Sequence, residues 1–178
     1  MEAPARTLLE AVDDALEQMR FRCALTADMF DCVKAQVADF SDAHKQSTAF
    51  AFLTANTEPG GVAMQYAHLA RRLTFWPGAA AAAPRERGAF RAGREAERSR
   101  EEATFDCFEQ VRLRAGMPRG AFDHALARAT GGRRAEAAIA FIMSHLEWDP
   151  ASADAAVAHA YGDMARELVI TASGGAER

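Results

Sequence analysis

Apolar residues recur along most of this chain at the three- and four-residue intervals of an α-helix. Residues 5–38 read as one or two helices. Leu8, Leu9, Val12, Leu16 and Met19 mark the first, with acids between them, and Thr26-Ala27-Asp28 offers a restart for a stretch carrying Met29, Phe30, Val33 and Val37. Ser41-Asp42 then caps a further stretch through Phe50, Phe52 and Leu53. The run from Asn56 to Gly61 is the clearest break in the first half, because Pro59 and the paired glycines end helices.

The second half follows the same grammar. Gly61 to Trp76 predicts a helix with Val62, Met64, Tyr66, Leu69 and Leu73 at its apolar positions. Pro77-Gly78 ends it, and an alanine run to Pro84 reads as a low-complexity loop. From Arg85 to Glu102 charges crowd together, as on a solvated helix face laced with i,i+4 pairs. Phe105, Phe108 and Val111 restore an apolar stripe, and Gly116-Met117-Pro118 is a turn. Phe122, Ala125, Leu126 and Ala129 mark a short helix, stopped by Thr130-Gly131-Gly132. Residues 134–148 form the most apolar helix. Its middle, Ala137 to Met143, is apolar on every side, which predicts a helix buried at the centre of a bundle. Asp149-Pro150 ends it, and a last helix runs from about Ser152 to Ile170, before Gly174-Gly175.

Composition sharpens the fold class to all-α. Hydrophobic residues make up 49% of the 178, enough for a core, since chains of roughly 150 residues bury about 70% of their unfolded surface. The apolar set is rich in Ala and Phe, with Ile only at 139, 142 and 170. That favours helices packed closely through alanine over β-sheet. The net charge of −4 argues against a nucleic-acid partner. All basic residues except Lys34 and Lys45 are arginines, which we read as the mark of a GC-rich genome. Cys23, Cys32 and Cys107 are odd in number and widely spaced, so they suggest thiols in a reducing cytosol rather than a disulfide framework. No stretch approaches the roughly 18 apolar residues that span a bilayer. We therefore expect a cytoplasmic chain without a transmembrane anchor.

Catalytic and metal signatures are missing. His44, His68, His124, His145 and His159 stand singly, with no Glu-x-x-His or His-x-x-x-His pair. No Gly-rich nucleotide motif occurs. Gly131-Gly132-Arg133-Arg134 is the one anion-binding candidate, and a loop is the simpler reading. We expect no cofactor, no metal and no enzyme.

The ordered segments from Gly61 onward resemble the Bcl-2 family. Val62-Ala-Met-Gln-Tyr-Ala-His-Leu-Ala-Arg-Arg-Leu-Thr-Phe-Trp76 looks like the family's BH4 helix, followed by an Ala/Pro/Gly loop. Phe90-Arg-Ala-Gly-Arg-Glu95 sits where BH3 would fall, and Thr104-Phe105-Asp106-Cys107-Phe108 resembles the groove-lining stretch after it. Phe122 to Phe141 is similar to the BH1 region with the central helix, and Tyr161 to Gly175 to the approach to BH2. There are departures. The family's Asn-Trp-Gly-Arg falls on Arg134, Ala135, Glu136 and Ala137, and the BH3-like segment has Ala89 and Arg94 in place of its Leu and Asp. This pattern suits a divergent, viral-type homologue.

The resemblance implies a Bcl-2-like helical domain over 61–175; residues 1–57, which it does not cover, read from their periodicity as an N-terminal helical extension of unknown role. It implies an anti-apoptotic protein whose hydrophobic groove binds BH3 helices of pro-apoptotic partners. The groove would be lined by Phe105, Phe108, Val111, Phe122, Leu126 and Ile139. Arg133 and Arg134 would supply the rim cation, and Glu136 and Ala137 would stand where the family has Gly and Arg. Such a protein works in the cytoplasm, of the host cell if viral, and reaches mitochondria through its partners. A homodimer stays open. Two alternatives remain: a Bcl-2-fold inhibitor of innate immune NF-κB signalling that uses another surface, and a helical-bundle assembly protein with no groove.

Overall fold

The computed structural model describes residues 5–24, 26, 61–74, 97–129, 133–146 and 152–173. The described residues form helices and turns, with no strand among them. The helices are α1 (Leu8–Arg22), α2 (Val62–Thr74), α3 (Arg100–Arg114), α4 (Arg119–Ala129), α5 (Arg133–Met143) and α6 (Ala153–Ser173). The stretches expected around Thr26–Val37 (Thr26 apart) and Ser41–Leu53, and the loop from Pro77 to Pro84, lie outside the described residues.

Two compact units emerge. One comprises Leu8–Arg98; the other joins Met1–Thr7 to Ser99–Arg178. Within the first unit α2 packs against α1. Helical spacing explains the pairing. Ala11, Val12, Ala15 and Met19 bury one face of α1, and Val62, Tyr66, Leu69 and Leu73 bury one face of α2. Four buried polar residues, Glu17, Gln18, Arg20 and Gln65, accompany them. Gln18 is fully buried and its Oε1 accepts the Arg98 backbone N–H at 2.9 Å, while Arg98 also donates to Asp14 Oδ2 at 2.7 Å and to Tyr66 OH at 3.4 Å. Arg20 and Glu17 pair at 2.6 Å along α1.

In the other unit α3 packs on α6, α4 on α5, and α5 on α6. The expected central helix needs correction. The α5 helix covers 133–143, not 134–148, and it buries a single face: Ala138, Ile139 and Ile142 are inside, while Ala137, Ala140 and Phe141 are exposed. The reason is its alanine content. Exposing a methyl costs little, so an alanine-rich run is apolar all round without demanding burial all round. Ser144 Oγ then donates to the Phe141 carbonyl at 2.7 Å as the helix ends.

The most enclosed helix is α6. Ala155 to Ala158, Ala160, Tyr161, Met164, Ala165 and Leu168 are all buried. Gly162 leaves room for the Met143 side chain at the end of α5: a Cβ there would meet Met143 Sδ at 2.5 Å and force that side chain to move. We expect Gly162→Leu to destabilise this unit by about 1–3 kcal/mol through overpacking, read as a lower thermal midpoint by circular dichroism. An unchanged midpoint would mean that the Met143 side chain gives way without strain and that Gly162 is not required at this contact.

The charged run before α3 is also corrected. Glu97, Arg98 and Ser99 are not helical, Ser99 being extended, and the helix starts only at Arg100. A capping box sets that start: Ser99 Oγ accepts the Glu102 N–H at 3.2 Å, and Glu102 Oε2 accepts the Ser99 N–H at 2.8 Å. Residues 85–96 lie outside the described residues.

Candidate partner-binding surface

The residues expected to line a groove are carried by α3, α4 and α5, and these three helices are neighbours. On α3 they divide. Phe105 is 47% exposed, whereas Phe108 and Val111 are 2% exposed and serve the core of the free chain. On α5, Ala137 is exposed and Ile139 is buried. Phe122 and Leu126 lie on α4, and Arg133, Arg134 and Glu136 on the first turn of α5; their side chains are outside what is described. Phe105 borders an open hollow at the start of α3, lined by Ser99, Glu101, Glu102 and Phe105 itself. Apolar contact ringed by acids suits a partner segment with an apolar side chain and a basic neighbour.

A polar constellation on the same helix has no counterpart in the sequence reading. Arg6 lies in the non-helical segment before α1, and its backbone N–H donates to Gln110 Oε1 at 2.8 Å. Its guanidinium donates to Asp106 Oδ2 at 2.5 Å and to Tyr161 OH at 3.1 Å. Gln110 and Tyr161 are both 0% exposed. Asp106 and Gln110 share a face of α3 at i,i+4 spacing, and Tyr161 meets them from α6. Arg100 adds a second tie, donating to the Leu168 carbonyl at 3.2 Å.

The far end of α3 is electrostatically closed. Arg112 is buried, reaches Glu109 through Nε at 3.0 Å and Nη2 at 2.7 Å, and donates through Nη1 to the Met117 carbonyl at 2.9 Å. Arg114 pairs with Asp154 in the first turn of α6. Burial lowers the Arg114 pKa from its ordinary value, and Tyr161 works in the opposite direction. Among the described residues, no three His, Cys, Asp or Glu side chains gather as metal ligands, and no helix is long and apolar enough to cross a membrane. No family model, curated protein or solved structure matches this chain.

Proposed function

We propose that this chain is a non-catalytic helical protein that grips a partner's amphipathic helix, and that the partner is a BH3 helix of pro-apoptotic Bcl-2 proteins. The observation that carries the reading is the adjacency of α3, α4 and α5, the helices bearing the expected groove residues, with Phe105 half-exposed on α3. The ordered family-like segments support the choice of partner. Helix-in-groove recognition places apolar anchors at i, i+3 or i+4, and i+7 against such a surface. Each anchor contributes about 25 cal/mol per Å² of apolar area buried, before ordering costs. The site of action is the cytoplasm, and mitochondria are reached through the bound partners.

Phe105→Glu tests the placement. It removes apolar contact and adds a third acid beside Glu101 and Glu102, at a position already half in water. Titration calorimetry should show at least a tenfold loss of peptide affinity, about 1.4 kcal/mol, with the helical circular dichroism unchanged. Full affinity in the variant would move the binding surface off α3.

One observation favours a second reading, a helical assembly protein with no groove. The BH4-like helix α2 buries its apolar face against α1 within the unit Leu8–Arg98. Under that reading BH3 peptides do not bind at all.

A further inference from the structure

We propose that Glu101 sets the charge preference of the hollow beside Phe105: the surface takes a partner's apolar side chain flanked by lysine or arginine and rejects the same side chain flanked by acids. The proposal rests on the reading that a partner docks on the exposed face of α3, but not on that partner's being a BH3 helix. The observation is a juxtaposition within one helical turn. Glu101 stands four residues before Phe105 and Glu102 three, so both lie on the side of the helix that Phe105 occupies. Ser99, Glu101 and Glu102 line the hollow with Phe105, and all four are exposed.

The two acids do different things. Glu102 is committed to the start of the helix, where its Oε2 accepts the Ser99 N–H at 2.8 Å and its own N–H donates to Ser99 Oγ at 3.2 Å. Glu101 takes no part in that capping box, so it can carry selectivity without carrying the helix start. The cations of α3 are directed elsewhere. Arg100 donates to the Leu168 carbonyl of α6 at 3.2 Å, and Arg112 pairs with Glu109 at 2.7 Å. Nor does the helix end cancel the acids, since a helix N-terminus carries about half a positive charge against two carboxylates. A cation brought in beside an apolar anchor therefore meets attraction, and a carboxylate meets repulsion. Exposed ion pairs change affinity only a few-fold each, so the acids decide between partners while Phe105 supplies the apolar contact.

The test uses the full chain and two synthetic amphipathic peptides of about 20 residues, long enough to be helical. They are identical except that lysine or glutamate stands one turn to either side of the central leucine. Affinities come from NMR titration at low and at high salt. We expect the lysine peptide to bind at least about fivefold more tightly than the glutamate peptide, with the preference shrinking as salt screens the charges. Glu101→Lys should invert the preference, and Phe105→Ala should weaken both peptides alike. Should Glu101→Lys fail to fold, Glu101→Gln takes its place and should at least halve the ratio. Equal binding of the two peptides, or a preference that the Glu101 variant leaves unchanged, overturns the proposal while the docking surface stands. Failure of both peptides to bind also overturns it, and titration of BH3 peptides then decides separately on the docking surface itself.

Discussion

Replacing Tyr161 by alanine should lower the stability of its unit by about 3–5 kcal/mol, the range for losing a large buried aromatic side chain. Tyr161 is 0% exposed in α6, the most enclosed helix, and its hydroxyl accepts a hydrogen bond from Arg6. Truncation therefore opens a cavity and removes one hydrogen bond from Arg6, which keeps Asp106. Tyr161→Phe separates the two effects. It keeps the packing and removes one hydrogen bond to a charged group, for about 1.5–3 kcal/mol at most. Urea melts followed by far-ultraviolet circular dichroism give both numbers. Equal losses for the two variants would locate the whole contribution in the hydroxyl and contradict the burial argument.

The second large effect lies in the other unit. Asp14→Ala should destabilise it by about 3 kcal/mol, because it leaves the Arg98 guanidinium without the carboxylate it meets at 2.7 Å. Only 8% of the Asp14 side chain and 14% of the Arg98 side chain are accessible, so water cannot fully replace the lost partner. Arg98→Met, which removes the charge and keeps most of the volume, should cost clearly less. If the two substitutions cost the same, the pair acts through packing and not through charge.

The elements with large residues at helical spacing were legible from the pattern alone. Val62, Tyr66, Leu69 and Leu73 predict α2, and all four are buried along one face. The last helix, expected from about Ser152 to Ile170, is found at Ala153–Ser173. Alanine-rich helices were legible as helices but not as to which face is inside. Among the described side chains of α5, Ile139 and Ile142 are buried, whereas Phe141, between them in sequence, is 47% exposed. The start of α3 was within reach, since Ser99-x-x-Glu102 is a capping-box signature, yet the density of charge around it reads as continuous helix.

The polar sites were the least legible. Gln18 and Gln110 are fully buried amides, and on a helix such residues read as solvated positions. What buries them is a partner far away in sequence: Arg98 for Gln18, and Arg6 for Gln110. Spacing within a helix carries no trace of such pairings, because they depend on how separate segments meet. The same limit applies to the groove. The order of Phe105, Phe108 and Phe122 can be read from the sequence, but which phenylalanine faces water is decided by packing, and α6 packs against α3.

The most direct measurement is titration calorimetry of the full chain against a panel of BH3 peptides of pro-apoptotic proteins. The account predicts binding at micromolar strength or better, about −8 kcal/mol, with the affinity lost in Phe105→Glu. Silence across the whole panel from a folded chain would contradict it and leave the helical assembly protein without a groove as the better description.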